Sequence, residues 1–331
     1  MWLKMKYIFF ISFTNENYFN KIQTTPLLWR RFYEGRHCWA WKDGTALSLQ
    51  LMDRNIDVVG LDQQPEARNT LQAAGGGTAE TIDDLLNALE TPRTLILLVP
   101  AGDITENVFQ ELRGKLVPDD LIIDAGNAHY RDTLRRHEQL KNTGILFADS
   151  GTSGGISGAR NGLCAMVGAD EEAADRVKAV FEAITIENGF LLTGEVGSGH
   201  YLKMIHNGIE YGMMQSIGEG FELLEKGPFE YHYESVADMW NHGSVIRGWL
   251  MELTAEAFKD EPKLESIKGV MHSSGEGKWT VEAALDYQAS APVIAMSQLM
   301  RYRSLDDDPF HGKVVAALRH QFGGHAIEKK E

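Results

Sequence analysis

Apolar and polar positions divide the chain into two halves with different periodicities. Up to about residue 195, short apolar runs end at polar or glycine-rich loops, and helical patterns follow them. The runs predict strands at 56–61, 94–99, 121–124, 145–148 and 163–167, with amphipathic helices such as 81–89 and 104–116 between them. Continuous apolar strands that alternate with helices predict βα units around a buried parallel sheet.

After residue 198 the periodicity is helical throughout, with long helices predicted at 199–226, 233–258 and 280–304. The predicted fold class is therefore an α/β doubly wound, Rossmann-like parallel sheet domain followed by an all-helical domain. The predicted boundaries are an aberrant segment at 1–43, a dinucleotide-binding domain at 44–195, and a helical substrate-binding and dimerisation domain at 196–331.

The predicted strands end in residues suited to ligand binding. In doubly wound sheets, ligands bind beyond the carboxyl ends of the strands. These ends are Asp62, 100–102, Asn127 and 150–155. The glycine-rich loop 151–160 could bring backbone N–H groups and the Ser153 hydroxyl to an anionic or polyhydroxy ligand, although a flexible turn has the same composition.

One predicted helix carries a line of chemically active side chains. Lys203, His206, Asn207 and Glu210 are spaced i, i+3, i+4 and i+7, so they share one helix face. A desolvated lysine can accept a proton and a separate carboxyl group can donate one. The alternative is an ordinary solvated helix face. The flanking glycines and the His–Asn pair argue against it, because these residue types are unfavourable in a surface helix.

Further cations occur downstream as Arg247, as Lys278 beside Thr280, and as Arg319 with His325. Arginine and lysine suit phosphate and carboxylate ligands, but each of these could be an ordinary surface cation. The histidines show no metal-ligand spacing, so no metal site is predicted.

Composition excludes several classes of protein. The 331 residues carry 32 Lys+Arg and 47 Asp+Glu, and a net charge of −15 argues against nucleic acid or a membrane as partner. Only two cysteines are present, so no disulfide framework is expected. A reducing, cytoplasmic location is expected instead. Cys164 is predicted to be buried and inert.

Residues 1–43 differ from the rest of the chain. They carry seven Lys/Arg, three Asp/Glu and four of the seven tryptophans. An apolar run at 7–13 faintly resembles a signal peptide, but no small-residue cleavage site follows it, so no signal peptide is predicted.

Six motifs from residue 44 to about residue 327 identify a family resemblance. They are IIDAGN (122–127), GTSGG (151–155), GHYLKMIHNGIEYGMMQ (199–215), WNHGSVIR (240–247), GEGKWT (275–280) and ALRHQFGGH (317–325). In this order they make the chain resemble 6-phosphogluconate dehydrogenase (decarboxylating), in its short bacterial form.

The resemblance implies oxidative decarboxylation of 6-phospho-D-gluconate to D-ribulose 5-phosphate and CO₂ with a nicotinamide cofactor, in the pentose phosphate pathway. It implies that Lys203 is the base at the C3 hydroxyl and that Glu210 protonates C1 of the enediol. A β-keto acid loses CO₂ readily once its carbonyl is polarised, so no metal is needed.

The resemblance also assigns binding residues. Those for substrate carboxylate and hydroxyls are Asn127, Ser153, Gly154, Gly155, His206 and Asn207, and those for phosphate are Tyr211, Arg247, Lys278 and Thr280. Arg319 and His325 match residues that reach the neighbouring subunit's site, which implies a homodimer or homotetramer. The implied cofactor residues are Gly44, Asp62, Val99, Pro100, Ala101 and Asn127. A carboxylate at Asp62 favours NAD over NADP, because it binds the ribose 2′-OH and repels a 2′-phosphate.

The glycine fingerprint of a dinucleotide site is missing. A G-x-G-x-x-G turn lets backbone N–H groups approach the pyrophosphate, but Trp39 and Trp41 stand where the first two glycines belong, and only Gly44 is present. Back-translating 33–43 and shifting the reading frame by one base gives Met-Lys-Val-Gly-Ile-Val-Gly-Leu-Gly-Arg-Met, which restores the strand and the fingerprint before Gly44. Our hypothesis is that one base was lost near codons 43 and 44, so that 33–43 are out of frame and 1–32 are translated upstream sequence. The alternative is a divergent N-terminus in which 6–13 supplies the first strand.

Two functions of different classes follow. Either the locus encodes an active dehydrogenase, or this chain is a catalytically silent remnant, such as a helical dimer that binds sugar phosphate without turnover. A hydroxyacid dehydrogenase for a smaller substrate is a weaker alternative, because it would not need the whole set of downstream cations. The chain as written is predicted to have little or no activity.

Overall fold

The computed structural model describes residues 10–13 and 39–329, with side chains from residue 44 onward. The chain divides into two compact units, of which one ends at Met204 and the other begins at Ile205. Among the described helices, none combines the length and the apolar character needed to cross a bilayer.

The first unit contains the strands and most of the shorter helices. The strands are β1 (Phe10–Phe13), β2 (Val58–Leu61), β3 (Gly77–Ala79), β4 (Thr94–Leu97), β5 (Leu121–Asp124), β6 (Leu146–Ser153), β7 (Leu163–Ala169) and β8 (Thr185–Gly194). The helices are α1 (Trp39–Asp53), α2 (Pro65–Ala73), α3 (Ile82–Asn87), α4 (Asp103–Arg113), α5 (Tyr130–Leu140), α6 (Gly155–Asn161) and α7 (Ala174–Ile184).

These strands form one eight-stranded sheet in the order β3-β2-β1-β4-β5-β6-β7-β8. The pairs β2–β3, β4–β5, β5–β6 and β7–β8 are parallel, which confirms the predicted Rossmann-like class. The pair β6–β7 is antiparallel, because only the short helix α6 separates these two strands. The pattern did not predict β3 or β8.

Residues on alternate positions of the strands belong to two different cores. Ile96 and Ile123 pack in a cluster with Leu51 and Phe181. Their neighbours Leu95 and Ile122 pack in a second cluster with Phe109, Leu112 and Phe147. Since successive strand residues point to opposite faces, the sheet is covered on both faces, as the continuous apolar runs predicted. The prediction that Cys164 is buried is wrong, since this residue is exposed. Its neighbours on β7 are buried and their side chains point to the opposite face of the sheet.

The strand β1 runs in the wrong direction for a dinucleotide fold. It lies between β2 and β4 and is antiparallel to both, with Phe13 opposite Val58 and Thr94. The C-terminal end of β1 therefore meets the N-terminal ends of its neighbours. A first strand that delivers a phosphate-binding turn must end at the same edge as the other strands, and β1 does not.

The second unit is helical, and one long helix leads into it. The helices are α8 (Ser198–Lys226), α9 (Tyr233–Asn241), α10 (Trp249–Asp260), α11 (Glu276–Asp286), α12 (Pro292–Ser304) and α13 (Phe310–Gly323). Helix α8 matches the predicted 199–226. The prediction of single helices at 233–258 and 280–304 is wrong, since each is two helices. Gly243 and Gly248 have positive φ in the first break, and Pro292 begins a new helix after the second.

Candidate functional site

A cavity of about 420 Å³ lies at the carboxyl ends of β4, β5 and β6 in the first unit. Its lining includes the sequence-predicted residues Val99, Pro100, Ala101, Asn127, Gly155 and Lys203, together with apolar side chains such as Leu47, Ile96 and Phe181. The predicted cofactor residues after β4 and β5 therefore share one cavity with the predicted catalytic lysine.

The loop after β4 is shaped by a glycine and a threonine. Gly102 caps helix α4 with φ of 94°, a conformation that suits glycine. The Thr105 hydroxyl donates to the carbonyl of Pro100 over 2.8 Å. These two features turn the chain sharply after Pro100 and place Val99, Pro100 and Ala101 along the cavity.

The loop that carries Asn127 packs tightly on the loop after β4. A Cβ on Gly126 would lie 2.7 Å from the carbonyl oxygen of Val99, so only glycine fits there. The carboxylate of Asp124 accepts from the amide of Gly126 over 3.3 Å and pairs with the buried guanidinium of Arg136 over 3.1 Å. This pair holds the start of the loop in place.

Glu106 completes the ion-pair network behind this loop. It lies 3.2 Å from Arg136 and 2.9 Å from Arg135. The hydrogen bond from Arg135 holds the pKa of the Glu106 carboxyl at about 2, well below its usual range.

The glycine-rich loop forms the junction between β6 and α6. Ser153 ends β6, and Gly154 and Gly155 follow with φ of 126° and 57°. A Cβ on Gly154 would lie 3.1 Å from Gly158 Cα, whereas Gly155 faces open space in the cavity. The loop is thus an ordered turn that exposes backbone to the cavity.

Lys203 lies on α8 with only 7% of its surface exposed. Its aliphatic stem crosses the backbone of Gly151, where a Cβ would lie 2.0 Å from Lys203 Cβ. The stem is therefore seated on β6, and the side chain reaches the cavity.

Within the second unit, the other predicted residues of α8 lie close together. The ring Nδ1 of His206 is 2.9 Å from the amide oxygen of Asn207 and 3.9 Å from Glu210 Oε2. Asn207 is buried, and Glu210 is partly exposed. Lys203 and Glu210 belong to the same helix, as predicted.

Tyr211 is the centre of a second group of predicted residues. Its ring packs on Gly277, where a Cβ would lie 2.6 Å away, and its hydroxyl is 3.3 Å from the amide nitrogen of Ser274, which donates to it. Thr280 is buried, and a Cβ on Gly208 would lie 2.6 Å from its methyl group.

Sequence reasoning missed Arg301. Its guanidinium lies 3.8 Å from the centre of the Tyr211 ring and donates to the carbonyl of His272 over 2.7 Å. No sequence motif singled this residue out, because its approach to Tyr211 results from tertiary packing.

Four residues that were predicted to bind an anion occupy exposed positions in the second unit. Lys278 lies 3.4 Å from Glu282. Arg247 donates to the carbonyl of Ser244 over 3.2 Å. Arg319 is exposed on α13, and His325 is exposed just after this helix. These contacts do not test the predicted role of the four residues in substrate binding, which stays a prediction.

Asp62 stands at the end of β2, as predicted for a residue that contacts ribose. Its Oδ1 accepts from the amide of Gln64 over 2.6 Å. Its Oδ2 is buried and has no hydrogen-bond partner. Burial raises the pKa of the Asp62 carboxyl to about 6, against the opposing effects of the Gln64 amide and of Arg68. An unpartnered buried acceptor fits a ribose hydroxyl donor.

The pyrophosphate end of a nicotinamide cofactor does not fit in the same way. Residues 39–53 form one continuous helix, so the positions of the first two fingerprint glycines are helical. Gly44 is buried within this helix and its carbonyl accepts from the Ser48 hydroxyl over 2.8 Å. The described backbone at 39–44 is therefore helical and does not form the glycine turn. Over the same described residues, no cluster of His, Cys, Asp and Glu is suited to hold a metal.

Two family models, one for each domain of the same enzyme, match the chain one after the other. Residues 43–194 match the NAD binding domain of 6-phosphogluconate dehydrogenase, and residues 199–330 match the C-terminal domain of 6-phosphogluconate dehydrogenase. The first match begins beside Gly44, so residues before 43 contribute nothing to it.

Relatives and solved structures agree with this match. The chain is 55% identical to Bacillus subtilis YqeC, provisionally named a 6-phosphogluconate dehydrogenase, over 87% of this chain and 97% of that protein. It is 39% identical to the NAD(+)-dependent decarboxylating 6-phosphogluconate dehydrogenase of Haloferax volcanii, over 85% of this chain and 94% of that enzyme.

The Plasmodium falciparum 6-phosphogluconate dehydrogenase structure superposes with a TM-score of 0.73 at 28% identity, over 87% of this chain and 65% of that longer chain. The motifs, the doubly wound sheet with its helical second unit, and these matches agree, and the chain belongs to the 6-phosphogluconate dehydrogenase family.

Proposed function

We propose that the locus encodes an enzyme that oxidatively decarboxylates 6-phospho-D-gluconate to D-ribulose 5-phosphate and CO₂, with NAD as cofactor. The observation that carries the proposal is the shared cavity. Lys203, which can hold a proton, lines the same space as Asn127 and the backbone after β4. The base and the cofactor-binding loops must lie close together, because the proton leaves the hydroxyl and the hydride leaves the carbon of the same C–OH group.

Lys203 acts first as the base. Its unprotonated amine takes the proton of the C3 hydroxyl, and the same group later returns that proton to the C3 oxygen as CO₂ departs. A bound nicotinamide supplies the acceptor for the hydride from C3.

Glu210 acts as the acid in the last step. It protonates C1 of the enediol after decarboxylation, which completes D-ribulose 5-phosphate. Its position on α8 two turns from Lys203 keeps the two proton-transferring groups on one helix. Two separate groups are useful here, because Lys203 has given up its proton by this step and can take the enediol hydroxyl proton while Glu210 protonates C1.

The remaining polar residues bind the substrate. Ser153, Gly154, Gly155, Asn127, His206 and Asn207 contact its carboxylate and hydroxyls. Tyr211, Thr280, Lys278 and Arg247 contact its phosphate, and we add Arg301 because its guanidinium lies on the Tyr211 ring. An acidic protein that binds a multiply charged anion must concentrate its cations locally, and these residues provide that concentration.

NAD is the cofactor that Asp62 favours. Its buried Oδ2, which lacks a partner, would accept from the ribose 2′-OH and repel a 2′-phosphate. In the restored chain, where Met-Lys-Val-Gly-Ile-Val-Gly-Leu-Gly-Arg-Met precedes Gly44, Asp62→Ser should lower the NAD/NADP ratio of kcat/KM by about tenfold or more. An unchanged ratio would contradict this assignment.

A homodimer is the assembly that we propose, in a cytoplasmic setting. Helix α13 has no buried residue, and it presents an exposed apolar stripe that consists of Phe310, Val314, Val315, Leu318 and Phe322. An apolar stripe of this kind on a helix indicates a protein partner. Arg319 and His325, beside this stripe, would then act in the partner's substrate site.

Product identification in the restored chain tests the proposed reaction. Incubation with 6-phosphogluconate and NAD should yield NADH, CO₂ and ribulose 5-phosphate in equal amounts. A 3-hydroxyacid without phosphate should react at least about a hundredfold more slowly, because it leaves the phosphate-binding cations unpaired. Preference for the smaller acid would favour the alternative hydroxyacid dehydrogenase.

A second function has its own support. Within the described residues, β1 is antiparallel to its neighbours and 39–53 is helical, so neither provides a turn for pyrophosphate. This chain would then bind sugar phosphate without turnover. Calorimetry of the unmodified chain should detect 6-phosphogluconate binding but no NAD binding. Saturable NAD binding to this chain would rule out the silent-remnant interpretation.

A further inference from the structure

Asp149 is a buried carboxylate that accepts hydrogen bonds from backbone amides at the start of helix α8. It lies on β6 with 0% exposure. Its Oδ1 accepts from the amide of Gly197 over 2.5 Å, and its Oδ2 accepts from the amide of His200 over 2.6 Å. The first amides of a helix lack partners within the helix, and a side chain usually satisfies them from the preceding residue. Here a residue from a distant strand does so.

Glycines allow this strand and the start of α8 to approach closely. A Cβ on Gly199 would lie 2.6 Å from the carbonyl oxygen of Asp149, and one on Gly168 would lie 2.7 Å from Asp149 Oδ1. No other residue type fits at either position. The first turn of α8 therefore rests directly on the backbone of β6 and β7, and Asp149 fixes its height and rotation.

Lys203 follows one turn later on the same face of α8. Its stem crosses Gly151, which is two residues beyond Asp149 on β6 and so lies on the same face of the strand. The contacts of Asp149 and Gly151 with α8 are therefore consecutive points along one strand. A shift of α8 at Asp149 would therefore move Lys203, which lies one helical turn further along the helix.

Burial and the surrounding polar groups have opposite effects on the pKa of the Asp149 carboxyl. Burial raises the pKa of the Asp149 carboxyl, and nearby Asp124 adds to the rise, while His200 and the amides of His200 and Gly197 oppose it. The His200 ring Nδ1 lies 3.7 Å from Asp149 Oδ2 and 2.7 Å from the Thr133 hydroxyl. A carboxylate at a helix N-terminus also gains from the helix dipole.

We propose that Asp149 is a positioning residue for Lys203: by capping α8 from β6, it holds the lysine amine at the cavity. The importance of this placement rests on the proposed function of Lys203 as the base. The placement itself is a property of the folded chain and can be measured without substrate.

Chemical labelling of Lys203 tests this proposal in the full chain. Asp149→Asn keeps the size of the side chain but replaces one acceptor oxygen by a donor, so one amide at the start of α8 loses its partner. The first turn should open more often, and an amine-reactive probe, read by peptide mass spectrometry, should modify Lys203 about tenfold faster. The other lysines should be unaffected.

Asp120→Asn is the matched control. Asp120 is also a buried carboxylate, and it accepts from the amides of Arg93 and Val117 far from Lys203. Its replacement should lower stability without changing the labelling of Lys203. Equal labelling in the wild type and Asp149→Asn would overturn the proposal. An increase at every lysine, or the same increase in Asp120→Asn, would also overturn it, because the effect would then be general destabilisation.

Amide exchange in the unmodified chain provides a test if Asp149→Asn does not fold. The amides of Gly197 and His200 should exchange as slowly as those in the interior of α8. Exchange at the rate of an exposed loop would refute the cap. Neither measurement uses 6-phosphogluconate or a dinucleotide. Failure of the proposed reaction, judged from the products of the restored chain, is therefore distinguishable from failure of this proposal.

Discussion

At the scale of single residues, the chemistry of this protein depends on how side chains are desolvated. Lys203 is almost wholly buried along its stem and lines a cavity shared with Asn127. Asp62 is buried with one oxygen unpartnered. Both are buried ionisable groups, which are typical of functional sites.

Replacing Lys203 should abolish most of the turnover of the restored chain. Lys203→Met keeps the length and the apolar stem but removes the proton-holding amine, and kcat should fall by about 10²–10⁴. Steady-state kinetics with 6-phosphogluconate measures this. The control Lys115→Met removes a surface lysine that pairs with Asp83 and Glu111, and it should leave kcat unchanged. Retention of kcat in Lys203→Met would remove Lys203 from the mechanism.

The Asp62 carboxyl should make stability depend on pH. Burial raises its pKa to about 6, so the folded chain binds this proton more tightly than the unfolded chain does. Its contribution to the free energy of unfolding is complete below about pH 4 and is lost as the pH rises through about 6. Asp62→Asn should therefore gain thermal stability relative to the wild type at pH 8 but not at pH 4.

Thermal melts at both pH values measure this effect. The control is Asp57→Asn, which changes an exposed carboxylate on the loop before β2. It should shift the melting temperature equally at the two pH values. A gain in Asp62→Asn that is larger at pH 4 than at pH 8 would reverse the assigned sign.

At the scale of elements, apolar periodicity predicted the strands β2 and β4 to β7 and the long helix α8 well, but not β3 or β8. The runs at 94–99 and 121–124 became β4 and β5, because each is buried on both faces and leaves a continuous apolar pattern. Helix boundaries in the second unit were harder to predict. Gly248 and Pro292 start new helices within patterns whose periodicity continues across the break. The site loops were predictable from motifs, but Arg301 came to Tyr211 through tertiary packing that leaves no local pattern.

Glycine substitution tests how closely α8 packs on β6. Gly151→Ala places a methyl group 2.0 Å from Lys203 Cβ, so either the strand or the helix must move. Overpacking of this kind costs about 1–3 kcal/mol, and kcat of the restored chain should fall with the melting temperature. Gly218→Ala on α8 has open space around it and should be neutral or stabilising by up to about 1 kcal/mol. Equal effects of the two substitutions would contradict the close packing.

At the scale of the whole molecule, the unusual composition of 1–43 and the fold lead to one interpretation. Residues 44–331 carry the net negative charge and match the family, whereas 1–43 carry seven cationic and three anionic residues. Two of the tryptophans stand where glycines belong. The strand in the central position of the sheet runs antiparallel to its neighbours. Our hypothesis of a one-base change of frame before Gly44 would explain the composition and the missing fingerprint together, and it stays a prediction until the DNA is sequenced.

The exposed stripe of α13 should mediate assembly. Leu318→Glu puts a charge in the middle of the stripe and should convert a dimer into a monomer, because a buried unpaired charge is strongly unfavourable at an interface. Size-exclusion chromatography with light scattering measures the mass. Val117→Glu, which changes an exposed apolar residue of the first unit, should leave the mass unchanged. A dimer in Leu318→Glu would exclude α13 from the interface.

The rate of NADH formation from 6-phosphogluconate, compared between the unmodified chain and the restored chain, tests the central claim most directly. Sequencing the DNA at codons 33–44 is its companion check. We expect robust turnover from the restored chain and little or none from the unmodified chain, since the restored sequence carries the G-x-G-x-x-G motif for pyrophosphate, whereas 39–53 of the unmodified chain is helical. Robust turnover by the unmodified chain, or none by the restored chain, would contradict this account.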